Sequence, residues 1–401
     1  MSPDATLRPP NGSDGHPALA LFLISLVLRP SIVAVGPLAN SITADLRVPD
    51  SVVGLLATLP ILCMGLFASL GPATAQRVGP RFAMALLAGA LVACALLRSS
   101  TSSAAAIVAL TAGIGIATGA AGSLPSIVAK LHAGGSRAAQ LSGAAAAGTV
   151  AGATLAGAAA VPLASVFGGW RPSLAILGAA GCLSIGAWLV LYRQAASYAA
   201  RNRARLPWRS RAAWLLAVVF GLQAVVYWGA SAWLPATYAA RGWSPTTAGD
   251  LVGLLNLIAL GGNLAVAVLS DRFGGRRTQV VASAVGILAS ALGFVLVPDQ
   301  AVFWTMFLGF SLGAIFPLLL ALTVDFAADP AGAGALAAFM LSVGYVIAAA
   351  GPLLLGVARD STGGFAATFP LLTGTGVALV AAAIGLVRER HVRTLRLPSA
   401  G

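Results

Sequence analysis

The sequence places one cationic side chain, Arg29, near the middle of its first long apolar run, roughly residues 17–38. If this run crosses a bilayer as a helix, Arg29 is its thirteenth residue and lies roughly 20 Å along the axis. A charge at that depth costs about 3 kcal/mol on insertion scales, and such residues are most often functional. Because a guanidinium offers a rigid fork of N–H donors, we predict that Arg29 binds the negative end of a small substrate.

A structural role for Arg29 is the alternative, in which it binds backbone carbonyls freed around Pro30 and Pro37. The side chain is too deep to reach either headgroup layer by snorkelling. No Asp or Glu lies in the middle of an apolar run; Asp45 and Asp325 sit at the ends of runs. An unpaired guanidinium in a wet cavity would attract an anion, which favours the functional interpretation.

Polar and aromatic side chains at helical spacing in other runs could complete the site. Gln223 and Tyr227 are four residues apart on one face, and Phe339, Ser342 and Tyr345 share another. The predicted substrate-binding set is Arg29, Tyr227, Gln223, Ser342, Tyr345, Asn256 and Phe339. Hydrogen bonding between helices is the open alternative for the polar members. Trp228 and Trp233 favour an interfacial aromatic belt over a cavity wall.

The composition is that of an integral membrane protein. Of 401 residues, 58% are hydrophobic and 9% charged, with a mean hydropathy of +0.91, whereas soluble proteins carry about 25% charged residues. The apolar runs of about 18–25 residues are long enough to cross a bilayer as helices, and they lack the alternation of a barrel strand. Cys63, Cys94 and Cys182 lie in separate runs and are interpreted as packing residues.

Twelve such runs predict an all-α protein with twelve transmembrane helices. They span about 17–38, 51–73, 81–98, 104–128, 138–162, 171–192, 212–236, 248–270, 278–297, 301–325, 335–357 and 366–387. A basic segment, 193–211, divides the chain into a half at 1–192 and a half at 212–401. The first run is too long for a signal-peptide core, so we expect it to be retained.

The distribution of positive charge predicts the orientation. Of the 24 Lys and Arg residues, 18 fall in the two tails and the even-numbered loops, whereas Arg47, Arg98, Arg171, Arg241 and Arg359 occupy the odd-numbered loops. This asymmetry predicts that both termini are cytoplasmic. We expect the protein to lie in the inner (cytoplasmic) membrane. It also explains the net charge of +13 without a nucleic-acid partner. The expected partners are the lipid bilayer and a small molecule.

Short internal matches indicate that the two halves are repeats. Val53-Gly54-Leu55-Leu56 matches Val252-Gly253-Leu254-Leu255 at an offset of 199, and Pro37 matches Pro235 at 198. That offset sets Arg29 opposite Tyr227. Gly168-Gly169-Trp170 similarly matches Gly363-Gly364-Phe365. A parallel repeat of two six-helix halves places the binding site between them, near the midplane.

One loop carries a family signature. Ser270-Asp271-Arg272-Phe273-Gly274-Gly275-Arg276-Arg277 resembles the cytoplasmic loop Asp-Arg-x-Gly-Arg-Arg of the major facilitator superfamily. Its copy after the second run, Gln76-Arg77-Val78-Gly79-Pro80-Arg81, lacks the acid. The resemblance implies that Asp271, Arg272, Arg276, Arg277 and Arg77 take part in gating, and a solvated turn that follows the charge rule is the alternative.

Further matches resemble the cyanate permease branch of that superfamily, which also includes 2-nitroimidazole transporters. They are Leu28-Arg29-Pro30, Gly36-Pro37-Leu38, Leu124-Pro125-Ser126-Ile127-Val128, Ala232-Trp233-Leu234-Pro235, Phe316-Pro317-Leu318, Ala338-Phe339-Met340 and Gly351-Pro352. The resemblance implies a secondary transporter for cyanate-like anions or nitroimidazole-like compounds, working by alternating access. It extends over nearly the whole chain.

Small residues and prolines are predicted to let the helices pack and slide. Gly115-x-x-x-Gly119, Gly148-x-x-x-Gly152 and Gly309-x-x-x-Gly313 are expected to be packing seams. Pro125 and Pro317 are expected to bend their helices as the two halves rock.

Other function classes receive less support from the sequence. There is no Walker motif, metal cluster or nucleophile–base set, so we expect neither an enzyme nor a cofactor. An exporter of neutral amphipathic cargo with the same fold is the main alternative, and a channel or scaffold is less favoured because no filter is evident. Proton coupling could use the substrate itself or Asp325, while exchange and facilitated movement are equally open.

Overall fold

The computed structural model describes residues 16–132, 135–193, 206–269, 275–327 and 330–388. Every regular element in these ranges is helical. Eleven of the described helical segments are long and apolar enough to cross a membrane, and the shorter apolar segment Pro17–Val33 supplies a twelfth span. The predicted all-α fold with twelve spans is therefore confirmed.

The helices in chain order are α1 (Pro17–Ser25), α2 (Pro30–Val33), α3 (Ala39–Leu46), α4 (Asp50–Phe67), α5 (Leu70–Ser100), α6 (Ala104–Gly122), α7 (Leu124–His132), α8 (Gly135–Phe167), α9 (Trp170–Leu191), α10 (Arg211–Ala239), α11 (Pro245–Leu269), α12 (Arg276–Leu296), α13 (Ala301–Asp325), α14 (Pro330–Ala348), α15 (Ala350–Thr362) and α16 (Thr368–Arg388). The first span comprises α1, α2 and the start of α3, whose exposed end lies outside the span at the far face; the fourth comprises α6 and α7, and the eleventh α14 and α15. Helix α5 contains the end of the second span and the whole third span, because Gly79 at φ +80° turns the chain within it.

The first span differs most from its prediction. Instead of one helix over 17–38, the chain forms α1, a 3₁₀ turn at Leu26–Leu28, α2 and then α3, which ends at Leu46. Pro30 occupies the first turn of α2, where its missing N–H does no harm, and the backbone tightens again before Gly36 and Pro37. Proline thus converts the predicted continuous helix into a broken one, and Arg29 lies at the break.

The matching glycines of the two halves lie at matching interfaces. Gly54 of α4 lies against the backbone of Pro352 and Leu353 in the eleventh span. Gly253 of α11 lies against Thr154 and Ala158 in the fifth. Each glycine therefore faces the opposite half of the chain, as expected if the halves are related by a repeat.

The ends of the bundle can be named by the loops that they contain. We call the end where α1 begins and α16 ends the terminal face, and the end with the loops after the odd-numbered spans the far face. The matched turns after α8 and α15 both lie at the far face and both use left-handed glycines, Gly168 at φ +80° and Gly363 at φ +68°.

The buried core shows where the halves join. One cluster of buried apolar side chains combines the C-terminal half with far-face parts of the N-terminal half, such as Leu38, Ile42 and Leu56. The other cluster consists mainly of the remaining N-terminal-half residues, such as Leu21, Ile24 and Leu91. The two halves therefore share a core on the side of the far face.

The predicted glycine seams are confirmed as close helix contacts. Each of their glycines lies against the backbone of another helix, where a larger side chain would collide. The contacts are Gly115 with Pro60, Gly119 with Met64, Gly148 with Phe22, Gly152 with Leu26, Gly309 with Leu255 and Gly313 with Ala259.

Candidate substrate site

Arg29 lies at the break in the first span, half-buried, and its guanidinium contacts an aromatic ring from the other half. The guanidinium carbon is 4.8 Å from the centroid of the Trp228 ring. The Trp228 side chain is only 3% exposed. The prediction of an interfacial belt is therefore wrong for Trp228, which provides a cation–π contact to Arg29. It is also wrong for Trp233, whose buried indole N–H donates to the carbonyl of Pro352 over 2.8 Å.

Tyr227 and Asn256 form a hydrogen-bonded pair beside Arg29. The Tyr227 hydroxyl donates to Oδ1 of Asn256 over 2.7 Å, and Nδ2 of Asn256 donates to the carbonyl of Val252 over 2.8 Å. The Arg29 guanidinium packs on Trp228, the residue next to Tyr227 on α10, and is within electrostatic range of the Tyr227 hydroxyl. Because the hydroxyl proton is directed at Asn256, the oxygen can accept a hydrogen bond from the guanidinium.

Tyr345 completes the group at the interface of the halves. Its ring contacts Phe220 edge-on, with centroids 5.2 Å apart, and it is a further electrostatic neighbour of Tyr227. Among the described residues, Tyr227 and Tyr345 are the two partly buried side chains that pack against both core clusters. The structure therefore brings Arg29, Tyr227, Asn256 and Tyr345 together.

The remaining predicted site residues lie at varying distances from this group. Gln223 is buried one turn before Tyr227 on α10. Ser342 is half-buried one turn before Tyr345, and its carbonyl lies against Gly65 of α4. Phe339 is elsewhere, packed edge-on against the rings of Trp208 and Trp214 where the seventh span begins. A substrate contact for each of these three residues stays a prediction.

The predicted gating arginines that the structure describes, Arg77, Arg276 and Arg277, lie at the terminal face. Arg276 forms an ion pair with Asp325 at 2.7 Å, and the guanidinium of Arg277 lies 4.9 Å above the ring of Phe326. Arg77 is exposed. Asp271 and Arg272 lie outside the described residues. A gating role stays a prediction for all of the residues named in this paragraph.

The two predicted hinge prolines occupy different environments. Pro125 follows directly on the break between α6 and α7, whereas Pro317 lies inside the continuous helix α13. The described residues contain no cluster of three or more potential metal ligands.

An ionic connection between the halves at the far face was not predicted. Nε of Arg359 is 2.7 Å from Oδ2 of Asp50, and its Nη1 donates to Asn40 over 3.3 Å. The neighbouring Asp360 accepts hydrogen bonds from the backbone N–H groups of Asp50 and Ser51, each at 2.9 Å, so it caps the start of α4. The sequence predicts only a loop charge at Arg359, because a single sequence does not reveal contacts between residues that are far apart in the chain.

A second ion pair at the far face lies within the N-terminal half. Arg171 pairs with Asp45, and the indole N–H of Trp170 donates to the same carboxylate over 3.1 Å. The hydrogen bonds from Arg171 and Trp170 lower the pKa of the Asp45 carboxyl below its usual value.

The position of Arg98 also differs from its prediction. The sequence predicts a loop charge there, yet Arg98 is 2% exposed and points into the N-terminal half. Its Nη2 donates to the carbonyl of Ser31 over 2.9 Å, two residues after Arg29. A charge at the end of an apolar run normally extends to the interface, so the sequence offered no signal for this contact.

Comparisons with known proteins agree with this architecture. The chain is 31% identical over 382 residues to the 2-nitroimidazole transporter of Escherichia coli (strain K12), covering 93% of this chain and 95% of the relative. It is 31% identical over 353 residues to the cyanate transport protein CynX of the same strain, covering 86% and 91%. A solved structure of a mutant nucleoside transporter NupG superposes with a TM-score of 0.77 at 12% identity, covering 92% and 100%.

The family assignment follows from a match over most of the chain. The family profile described as Major Facilitator Superfamily aligns with residues 21–352, and the relatives above are transporters. Together with its twelve spans, this establishes that the protein is a multi-pass membrane transporter and belongs to the Major Facilitator Superfamily.

Proposed function

We propose that the protein is a secondary transporter that carries a small anionic or polar planar solute, similar to cyanate or a nitroimidazole, by alternating access. The observation that carries this proposal is Arg29, a guanidinium at the centre of the first span that forms no ion pair with any carboxylate in the described residues. A charge in that position requires a compensating group, and a transported anion provides one.

The neighbours of Arg29 support a defined binding geometry. Trp228 covers one face of the planar guanidinium, and the Tyr227 oxygen can accept from one of its N–H groups. The other N–H groups are then the donors offered to the substrate, in a fork that suits two acceptor atoms. Asn256 orients Tyr227, so we assign Tyr227 and Asn256 to holding Arg29 and not to direct charge recognition.

Tyr345 is the proposed hydrogen-bond donor from the C-terminal half. It lies near Tyr227 of the C-terminal half and packs on Gly65 of the N-terminal half, so its position depends on both halves. A ligand bound between Arg29 and Tyr345 would contact both halves, as alternating access requires.

The names of the relatives support the same substrate class. Cyanate is a small linear anion, and 2-nitroimidazole is a planar ring whose nitro oxygens carry partial negative charge. Both offer acceptor atoms to a guanidinium, and both are small enough to fit against an aromatic wall. The absence of any mid-span acid among the described residues makes a cationic drug a poor fit.

We further propose that the terminal face is cytoplasmic and the protein lies in the inner membrane. The described arginines of the even-numbered loops, such as Arg77, Arg276 and Arg277, lie at that face, in keeping with the positive-inside rule. Asp325 is paired with Arg276 there, so proton coupling through Asp325 would require this ion pair to open in each cycle.

The test is uptake of labelled cyanate and labelled 2-nitroimidazole into proteoliposomes. Arg29→Ala should reduce cyanate uptake to background, and Arg29→Lys should raise KM by about ten- to a hundredfold, since a charged hydrogen bond contributes about 1.5–3 kcal/mol. Arg47→Gln is the matched control, because Arg47 is an exposed arginine at the end of the same span. It should transport like the wild type.

Normal cyanate uptake by Arg29→Ala would overturn the anion site. If instead the wild type transported no cyanate but exported neutral amphipathic compounds, and Arg29→Ala exported them equally well, the exporter alternative would replace the proposal.

A further inference from the structure

The break in the first span leaves one carbonyl without a backbone partner. The N–H groups of Val33 and Ala34 bond to the carbonyls of Arg29 and Pro30 in the α-helical manner. The next two N–H groups, of Val35 and Gly36, bond instead to Ile32 and Val33 in the tighter 3₁₀ manner. Because of this change of pattern, no backbone N–H bonds to the carbonyl of Ser31. That carbonyl is buried and needs another donor.

Arg98 supplies that donor from the third span. Its Nη2 lies 2.9 Å from the Ser31 oxygen, and the whole side chain is 2% exposed. Arg98 lies in the last turn of α5, close to the far face, where water would be within reach of a long side chain. The guanidinium instead extends inward, and its Nε has no partner among the described residues.

The same need is met elsewhere by a neutral group. The break between α14 and α15 in the eleventh span is held by Thr58, whose hydroxyl donates to the carbonyl of Ala349 over 2.8 Å. A hydroxyl is much less costly to bury than a guanidinium. Burial of the Arg98 guanidinium at the Ser31 carbonyl is therefore costly, and this cost suggests a function beyond satisfying one carbonyl.

We propose that Arg98 is a positioning residue for substrate binding: it fixes the break in the first span and thereby sets the direction of the Arg29 side chain. This inference rests on the proposed function of Arg29. Ser31 is two residues from Arg29 within the same short irregular segment, so a shift of the Ser31 carbonyl rotates the Arg29 backbone. Neighbouring packing supports the arrangement, because Gly181 of α9 lies against both Val27 and Val92 and keeps the first and third spans close.

The first arm of the test needs no substrate. Hydrogen–deuterium exchange is measured on the purified full-length protein for Arg98→Met, Arg98→Lys and the control Arg47→Gln. Exchange in residues 26–38 should be about tenfold faster in Arg98→Met, since loss of one buried hydrogen bond lowers the local opening energy. Arg98→Lys keeps one donor and should show a smaller increase, while Arg47→Gln and the peptides of α9 should be unchanged.

The second arm asks whether Arg98 acts through Arg29. Arg98→Met should weaken cyanate binding about fivefold in the wild-type background and less than about twofold when Arg29→Lys is already present, because residues that act through one another are not additive. A residue that merely stabilises the fold would weaken binding equally in both backgrounds.

Three outcomes separate the proposals. Unchanged exchange in residues 26–38 overturns the positioning role, and so does equal weakening in both backgrounds. A wild-type protein that binds no cyanate overturns the proposed function, while the exchange arm still decides whether Arg98 holds the break. If Arg98→Met does not fold, Arg98→Lys carries both measurements, with faster exchange expected only in residues 26–38.

Discussion

Within the described part of the chain, two arginine–aspartate pairs lie at the far face, and they connect different parts of the molecule. Arg171 pairs with Asp45 inside the N-terminal half, linking the start of α9 to the end of α3. Arg359 pairs with Asp50 between the halves, linking the eleventh span to the second. The side chains of the second pair are 19% and 17% exposed, against 28% and 46% for the first.

The first pair stabilises one half of the molecule, whereas the second pair holds the two halves together at the far face. If the halves rock as rigid bodies, the pair inside one half keeps its geometry throughout, whereas the pair between halves must break when the far face opens. Asp360 reinforces the second connection by capping α4 across the interface, and Phe365 lies 4.0 Å beneath the Arg359 guanidinium. The structure is therefore closed at the far face by contacts that the first pair does not share.

The largest effect is expected from Arg359→Gln. It leaves the Asp50 carboxylate without its counter-charge and close to Asp360, so the closed far face should lose about 1–2 kcal/mol, less than for a fully buried pair. This corresponds to roughly a tenfold larger open population. The measurement is the distance between spin labels on Ser102 and Gln300, two exposed far-face positions in opposite halves, with Cys63, Cys94 and Cys182 replaced by alanine.

The matched control for this experiment is Arg171→Gln in the same labelled background. It removes the same kind of side chain at the same face, but its partner Asp45 lies in its own half. The label distances should then stay as in the parent protein. Equal distance distributions for Arg359→Gln and the parent would show that the cross-half pair does not hold the far face closed.

A smaller effect is expected from Asp360→Asn. The amide keeps one acceptor oxygen but loses the charge and one of the two hydrogen bonds to the start of α4. A cap of this kind contributes about 0.5–2 kcal/mol, and exposure of Asp360 to solvent puts it near the lower end, so the open population should rise about threefold. Asp299→Asn, an exposed acid on the same face, is the control and should have no effect. A null result for Asp360→Asn would restrict closure to Asp50 and Arg359.

Much of the fold could be predicted because its signals are local. Apolar run length located all twelve spans, and the tenth run at 301–325 coincides with α13 at Ala301–Asp325. Short repeats in the sequence identified Gly54 and Gly253, which occupy equivalent cross-half contacts. The first span was predicted as continuous because hydropathy indicates only that a segment is apolar. It does not show that Pro30 and Pro37 interrupt the hydrogen-bond pattern of the helix.

The candidate site could be predicted only from residue types that are rare in the middle of an apolar run. A cation in mid-run identifies Arg29, and the repeat offset sets Tyr227 opposite it; both lie in one group with Asn256 and Tyr345. Arg98 could not be found in this way, since a charge at the end of a run follows the topology rule whether it points outward or inward. The prediction for Trp228 was wrong for a related reason: helical spacing gives the face of a residue but not its partner.

The smallest effect on closure is expected from Asp45→Asn, which should leave the label distances unchanged and act on stability alone. Because Arg171 and Trp170 lower the pKa of Asp45 in the folded protein, the stabilisation is fully present above about pH 4 and is lost as pH falls through the lowered pKa. The melting temperature of Asp45→Asn should therefore be lower than that of the wild type at pH 7, and the difference should shrink below about pH 4 and at high salt. A wider label distance in Asp45→Asn would instead show that contacts within the N-terminal half control closure as well, and the distinction between the two pairs would then fail.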